Sequence, residues 1–560
     1  MRSYSLYIDG NDVSTGRWIH TIRASALLTD AFSALTLKRS LDRGGEADPD
    51  DARVVGRVAY ASPEQCLPAL AAARRAQPIW ARVPFAERLA FGAAIHDDLR
   101  ARATEFVDIL VAEGHPRRLA EWEVAGVLEG SSPESLQVSA ELMVRTRRVG
   151  QREVRLVRKP DGVLCVHPPR NASASNSVLG MPALIAGNSV VVKAPRSSPL
   201  GVAWFWREIV APALDRFGAP PGTLNLICAE PKPVLEQWLD SPDVDDVMFI
   251  GDSNRGIEFG KRCVERGKKP ILELAGNDGV LVWKDADLES AARALTECFY
   301  GSAQICMVPK YALVHPAVAN ELLDRLRKWL PEIRPGLPEE PDVLLTPVLR
   351  TGEFFTVLDE ARKAGAELVA GGERMDQDGV PSPTGLFLQP TVIRVDGLDR
   401  ARELRAVQAE TFYPLLPIVV LDDGAIDAAE PDDAMFDRAV GFLNRNTYGL
   451  RNSLWSEDPD RIDQFCERVV NGGLLKVNDS HLGFVPGLPT HGGTGLTGGP
   501  FGECNLPMIR SSHLQGISIA TEVRPRDSVF THLRQSAAAP QAGGVPVDAV
   551  RPGGFVEAGA

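Results

Sequence analysis

Apolar and polar positions change spacing repeatedly along this chain, and each change predicts a different kind of structure. Residues 5–13, SLYIDGNDV, alternate on either side of Asp9-Gly10 and predict a short hairpin. Residues 37–52 are polar and rich in Gly and Asp, which predicts a loop. From Ser62 the spacing becomes helical: SPEQCLPALAAARRAQPIW starts with Ser62 and Glu64 and repeats apolar residues every three to four positions. A helical stretch over PFAERLAFGAAIHDDLRARATEFVDILVAEG follows, and a shorter one near 117–128. From about residue 142, LMVRTRRVGQREVRLVRKPDGVLCVHP alternates apolar and charged residues, the pattern of a half-exposed β-arm whose charges suit an edge strand.

Strand and helix patterns then alternate. GVLCVHP, NSVVVKAP, TLNLICAE, VDDVMFIGD and PILELAG read as buried strands, with helices such as SNSVLGMPALIAG and SNRGIEFGKRCVERG between them. A second series begins at GVLVWKDAD and continues through KYALVH, FLQPTVIRV and LLPIVVLDD. Strands alternating with helices of this length predict parallel, doubly wound sheets with right-handed crossovers, here in two α/β lobes. The tail from about 533 is Ala/Gly/Pro-rich without periodicity, so residues 533–560 are expected to be disordered.

Bulk properties narrow the picture. A chain of 560 residues exceeds one core. Its net charge of −13 and pI near 5.4 oppose a general nucleic-acid or anionic-membrane surface, leaving room only for a local basic pocket. No apolar run approaches the ~20 residues that span a bilayer, and the N-terminus lacks a signal-peptide apolar core. A cytoplasmic location is the expectation. The eight cysteines are scattered with no CxxC pair, which supports neither a zinc site nor a disulfide framework.

Ligands of doubly wound sheets sit beyond the carboxyl ends of the strands. There the chain places Lys193 with Arg196 after SVVV, Gly251 and Gly256 after VMFI, and Glu273 in ILELAG. The two glycines open a helix whose amides can receive a phosphate, and the three strand ends together suggest a nucleotide site. Neither GxxxxGK[ST] nor a tight GxGxxG is present at these strands. Cys306 lies between a predicted helix and a predicted strand, 33 residues after Glu273.

In this order the blocks HPPRN, ALIAGNSVVVKAP, FIGDSNRG, LELAGND, SAQIC, AETFYPLLPIV, NTYGLRNSLW, GGLLKVND and HGGTGLTG resemble the aldehyde dehydrogenase superfamily over about residues 5–520. The resemblance implies an aldehyde-dehydrogenase-like α/β fold: a cofactor-binding domain (1–141 with 159–275), a catalytic domain (276–483) and an oligomerisation arm (142–158 with 484–525). It implies oxidation of an aldehyde to a carboxylic acid with NAD or NADP, by a homodimer or homotetramer. Cys306 is then the nucleophile, Asn171 an oxyanion donor, Glu273 the base that activates water, Lys193 a ribose ligand, and Glu410 with Phe412 the nicotinamide end of the cofactor site. The residues at 172–180, 300–308 and 480–490, Phe484 among them, are expected to line the aldehyde pocket.

The chain departs from the family in three places. Arg196 stands where NAD-preferring members often carry an acid, which favours NADP. Asp252 stands beside the phosphate turn, where a carboxylate repels phosphate unless it caps the next helix. The segment from Asn171 to Asn188 is one residue shorter than in acid-forming members and resembles the CoA-acylating branch, whereas Glu273 argues for water. A CoA-acylating enzyme is therefore the alternative. A non-catalytic relative is a further one, opposed by the presence of Asn171, Glu273 and Cys306 together.

Overall fold

The structure is a computed structural model, and it describes residues 1–149, 152–421, 432–501 and 504–520. The hairpin forms as its sequence predicts. Strand β1 (Leu6–Ile8) turns through Asp9 and Gly10, both with positive φ (54° and 76°), into β2 (Asn11–Val13).

Two seven-stranded sheets organise the larger of two units, residues 1–144 with 157–515. The first contains β3 (Val163–His167), β4 (Ser189–Ala194), β5 (Leu224–Cys228), β6 (Asp246–Ile250) and β7 (Lys269–Glu273), in the order β7-β6-β3-β4-β5-β1-β2. The pairs among β3 to β7 are parallel; the hairpin adds an antiparallel edge. These strands are almost wholly buried, Lys193 and Asn225 included, because both faces are covered, the condition under which parallel sheets occur. Helix α1 (Pro63–Trp80) packs on β4 and β5, with its first turn closed by the Ser62 amide donating to Gln65 Oε1 at 2.9 Å. The order of winding reverses between β3 and β6, so the crevice of this sheet opens beyond His167 and Ile250.

The second sheet contains β8 (Asp278–Val282), β9 (Pro309–Val314), β10 (Glu367–Ala370), β11 (Thr391–Asp396), β12 (Leu415–Val420), β13 (Arg451–Trp455) and β14 (Leu474–Val477), in the order β10-β11-β12-β9-β8-β13-β14. All its pairs are parallel except β10 with β11. Strands β7 and β8 belong to different sheets and are joined by Leu274–Asn277, so the chain crosses from one lobe to the other immediately after Glu273.

One predicted helical stretch divides. Residues 85–113 form Phe85–Ala101 and Ala103–Glu113, broken at Arg102, where φ is −119°. The smaller unit holds residues 145–156 and the chain from 516. Its described part belongs to a three-stranded sheet of Ser512–Ala520, Arg152–Pro160 and Val144–Val149, in that order. Residues 484–511 fall in the larger unit, and the 533–560 tail lies outside the described residues. Among the described residues no helix is long and apolar enough to cross a membrane.

Candidate active site

Cys306 follows a turn that L-residues rarely adopt. Gly301, Ser302 and Ala303 have φ of 60°, 55° and 59°. Glycine accepts this freely, but Ser302 and Ala303 each store roughly 1–3 kcal/mol of strain, which persists only where the surroundings fix the backbone. Thr346 does part of this. It receives Ser302 Oγ at its carbonyl (2.6 Å), donates its amide back to that hydroxyl (3.0 Å), and donates Oγ1 to the Gly301 carbonyl (2.7 Å). Lys310, in β9, does the rest from beneath: its buried ammonium donates to the carbonyls of Ala303 (2.9 Å) and Thr411 (2.8 Å).

Of the expected site residues Asn171 bonds to this turn directly, and Glu410 and Phe412 reach its neighbours Gly276 and Lys310. Asn171 Nδ2 donates to the carbonyl of Gln304 at 2.8 Å, which brings the amide of the first lobe to the loop that carries the cysteine. Glu410 Oε1 accepts from the Gly276 amide at 3.0 Å. Gly276 in turn lies so close to the nucleophile loop that a Cβ there would sit 2.4 Å from the Cys306 carbonyl and 3.2 Å from Asp278 Oδ1. Phe412 offers its ring to Lys310, whose Nζ is 5.2 Å from the centroid. Glu273, at the end of β7, is buried, and its Oε2 accepts from the Gly492 amide at 2.7 Å.

The electrostatics of this group are set by burial. It pushes the Cys306 thiol up to about 12, helped by Glu410 and Asp278 and opposed by Lys310 and Arg451. Burial likewise raises Glu410 to about 7 against the pull of Lys310, and lowers Lys310 from the ordinary lysine value. The resting thiol is therefore neutral, in a pocket where two cations and two carboxylates nearly balance.

The remaining expected residues lie at the first sheet. Lys193, in β4, is fully buried, and its Nζ has no hydrogen-bond partner among the described residues. One strand over, His167 Nδ1 is likewise without one, and burial beside Lys193 pushes that imidazole down to about 3. Arg196 is exposed, with its guanidinium 6.0 Å from the Tyr60 ring centroid, and Tyr60 Oη donates to Glu230 Oε2 at 3.2 Å. Gly251 and Gly256 flank the start of α2 (Ser253–Glu265). Asp252 caps that helix, with Oδ1 accepting from the Arg255 amide at 3.0 Å, so its carboxylate has the local role that reconciles it with a phosphate turn. Gly256 is needed for packing: a Cβ there would lie 2.1 Å from Leu274 Cδ2. A fully buried ammonium with no acceptor, at a strand end in the crevice, is what a site for a polyhydroxylated, anionic dinucleotide requires. The residues fit such a cofactor.

An aromatic pair joins the apolar cluster that holds Cys306. The Trp122 and Phe484 rings stack 5.2 Å apart, and Trp122 Nε1 donates to the Leu482 carbonyl at 3.3 Å. Trp122, Ile305 and Cys306 pack on one apolar cluster with Leu482 and Met307. The Phe484 ring leans on Gly126 so closely that a Cβ there would be 2.3 Å from its Cζ.

A family model described as "Aldehyde dehydrogenase family" matches residues 39–504. The chain belongs to the aldehyde dehydrogenase family. It is an NAD(P)-dependent aldehyde oxidoreductase. It is 30% identical over 478 residues to the benzaldehyde dehydrogenase [NAD(+)] of Pseudomonas putida, covering 82% of this chain and 90% of that one. Against the vanillin dehydrogenase of Pseudomonas fluorescens the identity is 28% over 440 residues, 76% of this chain and 84% of the other. Its fold matches the NAD-dependent aldehyde dehydrogenase of Sinorhizobium meliloti with a TM-score of 0.74 at 23% identity, covering 94% and 97% of the two chains.

Some residues near Cys306 have a role that the sequence does not state. Lys310 sits in the apolar run PKYALV, and Asp278 and Arg451 lie within the blocks LELAGND and NTYGLRNSLW without a role assigned to them there. A cation inside a run of buried strand residues is the one signal that singles out Lys310 and Arg451. Trp122 lies on a helix whose pattern is only amphipathic.

Proposed function

We propose that the chain oxidises an aldehyde to a carboxylic acid through a covalent intermediate on Cys306. Supporting this is the Asn171 amide donating to the Gln304 carbonyl of the 301–306 turn, with Lys310 holding the Ala303 carbonyl of the same turn and Glu410 accepting from Gly276 next to the Cys306 carbonyl. The Cys306 thiol releases its proton to solvent, the thiolate so formed attacks the aldehyde carbon, and the Asn171 amide with the Cys306 N–H receives the developing oxyanion. One such donor is worth ~3–4 kcal/mol of barrier in other acyl-transfer sites. A bound nicotinamide supplies a hydride acceptor; Lys193 and Arg196 would hold the adenosine end, the amides after Gly251 the diphosphate, and Glu410 with Phe412 the nicotinamide end. Once the substrate carbon is oxidised, the acyl group remains on Cys306 as a thioester. Glu273 takes a proton from water, the hydroxide adds to the thioester carbon, and the acid leaves as the cysteine sulfur departs. In this assignment 1–141 with 159–275 is the cofactor domain and 276–483 the catalytic one.

The test is turnover in Cys306→Ala, read as NAD(P)H formation from an aldehyde. Activity at the parent level would place the nucleophile elsewhere. Assays with and without CoA decide what resolves the thioester: strict CoA dependence would replace the hydrolytic reading by an acylating one.

The aromatic pair favours a planar apolar aldehyde. Trp122 and Phe484 present stacked faces beside the cluster that holds Cys306, and relatives include enzymes named for benzaldehyde and vanillin. A panel of aryl and short alkyl aldehydes should show the higher kcat/KM for the aryl members; equal values would remove the pair from specificity.

Assembly and location follow from other features. The exposed apolar residues Val149 and Leu156 on the arm suit pairing with a second copy, giving a dimer or tetramer, and a monomer mass by light scattering would exclude it. The seven cysteines whose side chains are described are all free, which suits a reducing, cytoplasmic compartment.

A further inference from the structure

Arg451 begins β13 and is fully buried. A guanidinium withdrawn from water is costly and adds less stability than an apolar side chain of the same size, so its retention points to a task other than filling space. Its contacts define that task. Nη1 donates to the His481 carbonyl at 2.6 Å and Nη2 to the Thr490 carbonyl at 3.0 Å. These carbonyls are the two ends of the 481–490 loop, and one rigid fork joins them. A lysine ammonium, with a single nitrogen on a flexible stem, cannot reproduce the pairing.

The first end of the loop is fixed again through the His481 side chain. Its Nε2 meets Asp278 Oδ2 at 3.1 Å, its Nδ1 meets Ser453 Oγ at 2.6 Å, and Asp278 Oδ1 accepts the Arg451 amide at 3.3 Å. His481, Asp278, Ser453 and Arg451 are all buried. Glu297 adds a contact at the same end, accepting from the Leu482 amide at 3.0 Å. Asp278 also faces Gly276, on whose other side lies the Cys306 carbonyl.

What the loop carries makes this more than a scaffold. Within it Phe484 stacks on Trp122. Two residues beyond Thr490, the Gly492 amide holds Glu273 Oε2 at 2.7 Å. Only two peptide units separate the Thr490 carbonyl from that amide, which the pairing of His491–Gly492 with Cys504–Asn505 also sets.

We propose that Arg451, braced by Asp278 and His481, is a positioning residue for thioester release: it fixes the 481–490 loop and thereby the Gly492 amide that orients Glu273. The proposal rests on the reading of Glu273 as the base. Its hydrogen bonds bear on the release step alone, since none is to Asn171 or to the 301–303 turn; on the first half-reaction it acts only through its charge, which opposes the rise of the Cys306 thiol and bears on the rate of the burst, not on its amplitude. A carboxylate misplaced by about 1 Å loses on the order of 10²-fold in rate.

The experiment compares the parent, Arg451→Met, Arg451→Lys, His481→Leu and Glu273→Gln in rapid-mixing assays with an aldehyde and NAD(P)+. It records the amplitude of the first-turnover burst of NAD(P)H, the steady-state rate, and the melting temperature of each. Arg451→Met should keep a burst near one per site while its steady-state rate falls ~10²-fold. Arg451→Lys should fail to restore it, and His481→Leu, which leaves both loop carbonyls available to Arg451, should show the same split at smaller size. A loss of burst and steady rate by the same factor, or a loss of melting temperature with unchanged kinetics, would overturn the proposal and leave Arg451 a structural residue. If Arg451→Met does not fold, His481→Leu decides on the same criteria. Glu273→Gln separates the two claims: without a burst-to-steady-state split in that variant the base assignment itself fails, and with it the failure is confined to Arg451.

Discussion

The Lys310 ammonium reaches beneath the nucleophile turn and donates to the carbonyl of Ala303 at 2.9 Å. It holds in place a residue whose φ of 59° would otherwise relax, three positions before Cys306. Lys310→Met fills the same space but leaves the Ala303 and Thr411 carbonyls buried without a donor, a cost of ~1–3 kcal/mol for each. The variant should melt at a lower temperature and lose at least tenfold in kcat. Scanning calorimetry and initial rates check this; parent-like values in both would mean that Thr346 alone secures the turn.

The thiol should be slow to react in the free enzyme. With Cys306 raised to about 12 by burial, only roughly one molecule in 10⁴ carries a thiolate at pH 8. Inactivation by iodoacetamide should therefore accelerate close to tenfold per pH unit between 7 and 10, without a plateau. Residual activity against time, with the modified peptide identified by mass, measures it. A plateau near pH 8 would show a thiol already activated before cofactor and substrate arrive.

Glu410 makes stability fall with pH. Its ordinary value of 4.5 is raised to about 7 in the fold by burial, so the folded chain binds that proton more tightly than the unfolded one. Its contribution is complete below pH 4.5 and is lost as the pH rises through about 7. Glu410→Gln, which keeps the size and removes the titration, should melt progressively higher than the parent as pH rises from 5 to 8. Parallel melting curves for the two proteins across that range would contradict the shift.

Arg196 tests the cofactor assignment. Its guanidinium is exposed beside the strand end that carries Lys193, where the proposed function has it meet a 2′-phosphate. The parent should show the larger kcat/KM with NADP, and Arg196→Glu should reverse the preference, mostly through KM. A parent that already favours NAD would set the 2′-phosphate reading aside.

The fold was legible where the chemistry is local. Uninterrupted runs such as VVV before Lys193 can only be strands covered on both faces, and Asp9-Gly10 can only turn a hairpin. The order of Lys193, Glu273, Cys306 and Glu410 along the chain carried the resemblance to the family. What stayed hidden depends on acceptors without a side-chain signature. Lys310 bonds to two carbonyls, one of them 101 residues away, and Arg451 to carbonyls 30 and 39 residues away. Any residue type supplies a carbonyl, so the sequence shows the cation and not its partner. The break at Arg102 was hidden for a similar reason, since residues 85–113 hold helical spacing across it.

The contact between Phe484 and Gly126 has an evolutionary consequence. The ring occupies the space that any side chain at 126 would claim, so a single added methyl group must displace the ring or the helix that carries Gly126. Positions 126 and 484 are therefore tied: a larger residue at 126 is accommodated only where the ring at 484 gives way to a smaller one.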